Sequence, residues 1–186
     1  MRGAEATVTK TKIISRPAVL KSRIPKNYRV KELDRKLRIE RTRNEAKLLN
    51  KAKLAGVKCP TVLQVDEFNI TMSYVDGKRP KMDKKEARET GILLAKLHMA
   101  DIIHGDYTPA NLIKTKNDEL IVIDFGLGYI SKDIEDKAVD VFTMLRSFGN
   151  NKIANESFLS AYHEYDRAEE VLVRVKAVEK RVRYAV

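Results

Sequence analysis

The sequence predicts an α+β fold in two lobes. A small β-rich first lobe carries one long helix, and a reduced, mainly helical second lobe follows. Three observations lead there. Short Val/Ile/Thr-rich runs flank one long charged stretch with helical character. A break, "DGKRPK", follows at residues 76–81. Beyond it the chain reads as helices, interrupted by a polar island, "HGDYTPAN", that lies between apolar residues. A length of 186 residues suits one domain or two small lobes, and 43% hydrophobic residues suffice for a core.

The elements follow in order. "ATVTKTKIIS" and "AVLKSRI" read as two strands. Residues 30–56 read as a long helix that ends at Gly56 as its C′ residue, with Leu33, Leu37, Ala46, Leu49 and Ala52 as its apolar stripe. "TVLQVD" and "ITMSYV" supply two further strands. Asp83 and Glu86 form a D-x-x-E capping box that opens a helix running to about His98. "ELIVIDFG" is a strand ending in a turn, and helices are expected at about residues 134–148, 155–165 and 168–183. The lobe boundary falls at the hinge, giving residues 1–75 and 76–186.

Composition excludes several classes. No apolar run approaches the ~20 residues that span a bilayer. The polar start "MRGAEATVTKTK" does not resemble a signal peptide, so a cytoplasmic location without membrane contact is expected. The single cysteine, Cys59, rules out an internal disulfide or a multi-cysteine metal site and reads as a small buried thiol. The net charge of +11 is concentrated: residues 10–58 hold 17 Lys/Arg against 4 Asp/Glu, and the remainder is about neutral. Such a block suits a polyanionic partner such as nucleic acid, or an acidic protein, or else a solvated helix face.

The chemistry sits in two motifs. His104, Asp106 and Asn111 follow H-x-D-x-x-x-x-N, and Asp124 lies in "VIDFG", 18 positions after Asp106. In this order and spacing they match the core signatures of kinase-like phosphotransferases and define a minimal bilobal protein-kinase-like fold. Phosphoryl transfer needs in-line positioning and neutralised phosphate charge. Asp106 can orient the attacking hydroxyl or water and accept its proton. Asn111 and Asp124 offer oxygen ligands to Mg²⁺, a hard cation. Lys21, on a predicted strand, is placed to contact the phosphates of ATP. Glu45, an isolated acid in a basic helix, can pair with it or with Arg41 four residues behind. In "TMSYV", with Met72 as gatekeeper, the Ser73 carbonyl and the Val75 N–H would face an adenine edge, unless they serve ordinary strand pairing. Gly3, in "RGAEA", is the one glycine where a kinase commonly has a Gly-rich loop.

The whole chain resembles the small atypical kinase-like ATPases of the KEOPS complex of archaea and eukaryotes. The resemblance rests on "GAEA", "LKSRIPKNYRVKELDRKLRIERTRNEAKLL", "AGVKCP", "HGDYTPAN", "IDFGLGYIS" and "EDKAVDV". It implies an ATP- and Mg-dependent kinase or ATPase subunit acting with a tRNA threonylcarbamoyladenosine synthase subunit and other KEOPS subunits. That complex modifies the adenosine next to the anticodon of certain tRNAs. It further implies Asp106 as catalytic acid/base, Asn111 and Asp124 as metal ligands, and Lys21 with Glu45 as phosphate anchor. Asp140 braces the catalytic loop, with His104. A tRNA path along Arg35, Arg38, Arg41 and Arg43 and the tail residues Lys180, Arg181 and Arg183 is expected. The chain departs from the family at Tyr107 (commonly Leu), Ser73 (commonly Glu) and Val182 (commonly Gly). It also lacks the His-Arg-Asp arginine that reads a phosphorylated loop in regulated kinases, and no A-P-E follows D-F-G. Activity should therefore depend on partner contacts. Two other readings compete: a small-molecule phosphotransferase of the aminoglycoside or choline kinase type, and a non-enzymatic RNA-binding scaffold with a degenerate nucleotide site.

Overall fold

A computed structural model describes residues 6–184 of the protein, with side chains through Arg181. In the first lobe, β1 (Ala6–Ile13), β2 (Arg16–Arg23), β3 (Val62–Val65) and β4 (Asn69–Ser73) form an antiparallel sheet in the order β1-β2-β4-β3. Ile14 and Ser15 turn the β1–β2 hairpin with φ of 47° and 64°. Positive φ at both central residues is the hairpin geometry that matches strand twist.

Helix α1 (Lys31–Leu54) lies against this sheet and ends as expected: Gly56 takes φ +76°, and the Val57 N–H donates to the Ala52 carbonyl at 2.9 Å. Its buried face differs from the expected stripe. Leu33 is exposed, Leu37 and Ala46 are half-buried, and the buried residues are Asp34, Thr42, Glu45, Leu48, Leu49 and Ala52. The first half of the helix is held by polar contacts rather than by aliphatic packing. Arg38 Nε donates to Asp34 at 2.7 Å, and the Thr42 hydroxyl donates to the Arg38 carbonyl at 2.8 Å.

The second lobe begins with β5 (Gly77–Lys78) and α2 (Lys84–Met99). The capping box is present: Asp83 accepts from the Glu86 N–H at 2.9 Å, and Glu86 accepts from the Asp83 N–H at 3.3 Å. Strand β8 (Leu120–Val122) falls within the expected "ELIVIDFG" strand, and three short strands that the sequence pattern does not announce accompany it: β6 (Ile102–Ile103), β7 (Leu112–Thr115) and β9 (Tyr129–Ile130). β6 pairs with β9, and β5, β7 and β8 form a sheet in that order. Helices α3 (Ile134–Phe148), α4 (Lys152–Tyr162) and α5 (Ala168–Tyr184) complete the lobe. Helix α4 starts and ends three residues earlier than expected, because Asn151 caps it by accepting from the Ala154 N–H at 3.1 Å. One core runs through both lobes, from Ile70 and Leu48 to Leu94, Phe125 and Phe158, and so fixes the cleft between them. Among the described residues no helix is long and apolar enough to cross a membrane.

Candidate active site

Residues two apart on a strand share a face, so Lys21 and Arg23 both point from β2 toward α1. Both Glu45 oxygens face them. Lys21 Nζ donates to Oε1 and Arg23 Nη2 to Oε2, each at 2.6 Å. Lys21 therefore pairs with Glu45 across the lobe, and α1 sits inward. Lys21 Nζ is also 2.8 Å from Asp124 Oδ1, which ties the first lobe to the second.

Asp124 follows β8 with φ +62°, and its Oδ1 also accepts from the Gly126 N–H at 3.2 Å. Partial burial opposes the charged form of Asp124, but Lys21 and the Gly126 N–H outweigh it and hold the carboxyl below its usual range. Space here is tight: a Cβ on Gly126 would lie 2.9 Å from Asp124 Oδ1 and 3.3 Å from Lys21 Nζ.

The loop of residues 104–111 is held by Asp140 of α3. Its oxygens accept from the His104 N–H at 2.6 Å and the Gly105 N–H at 2.9 Å. The His104 ring bridges two parts of the site. Nδ1 accepts from the Asp106 N–H at 3.3 Å, so the proton lies on Nε2, which donates to the Ile123 carbonyl at 3.1 Å. Burial lowers the His104 pKa against the pull of Asp140 and keeps the ring neutral. Gly105 takes φ +80°, and a Cβ there would lie 2.5 Å from the Leu127 carbonyl oxygen. Only glycine fits both demands. Tyr107 is fully buried, its hydroxyl donating to the Thr90 carbonyl at 2.9 Å, so an aromatic ring fills the place where the family commonly has leucine.

Asn111 ends the 3₁₀ turn Pro109–Asn111, and its Nδ2 donates to both the carbonyl (2.8 Å) and the carboxylate (2.9 Å) of Asp106. Two acceptors on that side fix the amide's orientation and leave Oδ1 facing away. The Ile123 N–H donates to the Asn111 carbonyl at 3.0 Å, which sets Asn111 beside Asp124. Asn111 Oδ1 and Asp124 Oδ2 have no hydrogen-bond partner among the described residues. A carboxylate and an amide oxygen left open on neighbouring segments are a donor set that fits a hard divalent cation.

Above this cluster lies a cavity of about 330 Å³. Val8, Val19, Met72 and Ile123 wall it, Lys21, Glu45 and Asp124 close its inner end, and Ser73, Tyr74 and Val75 line its rim. The Val75 N–H has no backbone partner among the described residues, and at Ser73 the N–H donates to the Thr61 carbonyl at 2.8 Å while Oγ accepts from the Thr61 N–H at 2.9 Å. Gly3 lies outside the described residues.

The basic residues vary in setting. Arg35 pairs with Glu67 at 2.6 Å, and Arg38 lies over the Phe68 ring at 4.1 Å as well as on Asp34. Arg41 is half-buried, Arg43 and Lys180 are exposed, and Arg181 pairs with Glu135. The Arg183 side chain lies outside what is described. Three participants escape a motif-based reading. Arg23 was legible from its i,i+2 spacing to Lys21. Asn44, on α1, donates from Nδ2 to the Gly128 carbonyl at 2.8 Å. His98, on α2, is 3.5 Å from Asp140 through Nε2 and 2.6 Å from the Tyr162 hydroxyl through Nδ1.

A profile of the RIO domain matches residues 13–145. A probable serine/threonine-protein kinase BUD32 homolog of Archaeoglobus fulgidus is 45% identical over 188 residues, covering 98% of this chain and 94% of that protein. The chain belongs to the Bud32-type RIO-domain family. It is therefore one of the small atypical kinase-like proteins of the KEOPS group. The Bud32-type chain is also 37% identical, over 90% of its length, to a probable bifunctional tRNA threonylcarbamoyladenosine biosynthesis protein of Methanosarcina barkeri, of which it spans about a third (32%). In fold it is similar to the Rio2 kinase of Chaetomium thermophilum, solved as an ADP/Mg²⁺-phosphoaspartate complex, with a TM-score of 0.69 at 15% identity over 100% of this chain and 70% of that one. That likeness agrees with the α+β bilobal kinase-like architecture described above.

Proposed function

We propose that this chain binds ATP with Mg²⁺ in the interlobe cavity and acts as an ATPase or serine/threonine kinase subunit supporting tRNA threonylcarbamoyladenosine synthesis, with the lobes meeting at residues 75–76. One observation carries this reading: Lys21 Nζ stands 2.6 Å from Glu45 and 2.8 Å from Asp124 at the inner end of the cavity. Asp106 and Asn111 lie beside that junction through the Ile123–Asn111 bond. The Val75 N–H offers a donor to the nucleobase, and the apolar walls take the ring. Lys21, oriented by Glu45, meets the phosphates. Asn111 and Asp124 would hold Mg²⁺, which when bound neutralises phosphate charge. Asp106, fixed by Asn111 and by His104 through its N–H, orients the attacking hydroxyl or water. Mutual bracing of this kind preorganises the acceptor side. Sharing a family with bifunctional synthesis proteins supports a synthase subunit and tRNA as partners. The exposed cations of α1 and α5 would then contact phosphates rather than bases.

Purified chain, alone and with the synthase subunit and tRNA, is tested for MgATP turnover against a panel of small alcohols. Stimulation by the synthase subunit and tRNA supports the proposal. Stimulation by one alcohol supports a small-molecule phosphotransferase, and tRNA binding without turnover supports a scaffold. Asp124→Ala should reduce turnover at least ~10²-fold, the scale of losing one charge-stabilising group, while the fold survives. Wild-type turnover in that variant would sink the site assignment.

A further inference from the structure

Glu45 has a neighbour that the site above does not use. Asn44 precedes it on α1, and Asn44 Nδ2 donates to the Gly128 carbonyl at 2.8 Å, 84 residues along the chain. Leu48 lies one turn further on the same helix face. Its Cδ1 is 2.9 Å from where a Cβ on Gly128 would stand. Both residues thus meet one short turn, residues 125–128, which the Gly128 N–H closes by donating to the Phe125 carbonyl at 3.0 Å.

The other side of that turn abuts the catalytic loop. The Ile103 carbonyl oxygen is also 2.9 Å from the position of a Gly128 Cβ, and the Leu127 carbonyl stands over Gly105. Strand β9 leaves the turn at once and pairs with β6, with Ile103 opposite Tyr129. The segment is anchored on both flanks without a modified residue. Helix geometry does the rest: successive side chains are about 100° apart, so when Asn44 and Leu48 seat on the turn, Glu45 faces Lys21.

We propose that Asn44 is a positioning residue that locks α1 in its inward, Lys21-paired place, doing through one carboxamide what a phosphorylated loop residue does in switchable kinases. The consequence for activity rests on the ATP-site reading above; the lock itself does not.

The test joins a distance to a rate. Spin labels are placed at Lys47→Cys on α1 and Lys132→Cys in the second lobe, both exposed, with Cys59 buried away from the reagent. Asn44→Ala should lengthen and broaden the label distance and lower kcat about tenfold, with KM for ATP moving less than about threefold, the scale of one lost, partly buried hydrogen bond. Asn44→Asp should open α1 further, since its carboxylate faces a carbonyl. It should recover in part as pH falls through the carboxyl range, because a protonated acid can donate again. An unchanged distance in Asn44→Ala overturns the lock, and so does a general loss of stability without a distance change. A lengthened distance with wild-type kcat overturns the positioning role. If wild type turns over no ATP, the ATP-site reading fails, while the label distances still decide the lock.

Discussion

Helices α1 and α2 are both buried against their lobes, yet by different forces. Helix α2 buries Ala87, Leu93, Leu94, Ala95 and Leu97, and apolar packing holds it from many sides. Helix α1 buries Asp34, Thr42 and Glu45 over its first half and becomes apolar only at Leu48, Leu49 and Ala52. Apolar packing is non-directional and sums over area, so it fixes an element firmly. Ion pairs depend on where their partners stand, so α1 goes where β2 and the turn after Asp124 send it. The second lobe is a platform, and α1 is the part whose place can be set.

The largest effect should come from breaking the platform. Phe158 is fully buried between Phe148 and Tyr162, with ring centroids 5.7 and 6.3 Å away. Phe158→Ala should destabilise by about 3–5 kcal/mol in chemical denaturation, with KM for ATP unchanged in the molecules that remain folded. Glu45→Gln attacks the other kind of contact. It leaves Lys21 and Arg23, with side chains 10% and 3% exposed, without their shared carboxylate. A loss of about 3 kcal/mol is expected. KM for ATP should also rise, because Lys21 is then oriented by Asp124 alone. A Glu45→Gln variant with unchanged denaturation midpoint and unchanged KM would contradict the contrast between the helices. Asp83→Ala removes the α2 cap and should cost about 1 kcal/mol by thermal melting, leaving KM alone.

The gentlest perturbation leaves the sequence untouched. Burial lowers the pKa of His98 below its ordinary 6.5, with Asp140 pulling the other way. The unfolded chain therefore binds this proton at a higher pH than the folded one. Stability should be full above about 6.5 and decline as pH falls toward the folded value. Denaturation midpoints from pH 8 to pH 5 measure this, and His98→Gln should flatten part of the slope.

The sequence made legible what local rules dictate. The Asp83/Glu86 box, the bounds of α3 and the Gly56 end of α1 follow from spacing and residue type, and the structure decides between the two partners that the sequence offered Glu45 in favour of Lys21. The misses have different physical causes. Hydrophobic periodicity assumes that apolar residues face inward, and on α1 it selected Leu33, which is 52% exposed, over Asp34, which is buried. The burial of Asp34 becomes readable only once its partner Arg38 and the Lys26 N–H are seen to face it. β6 and β9, two residues each, are too short for any period to register. Asn44 looks like any helix asparagine until a turn 84 residues away supplies its acceptor.

Gly105 has a consequence for engineering. Regulated kinases carry arginine at this position, and a designer wanting phosphorylation control would restore it here first. The backbone at φ +80° and the Leu127 carbonyl 2.5 Å from the needed Cβ both forbid that graft. The obstruction is the main chain itself, which no side-chain repacking removes. A synthetic switch in this scaffold would have to be installed on α1, for instance by fusing a ligand-responsive module to its exposed N-terminal end, because polar contacts rather than aliphatic packing hold the first half of that helix.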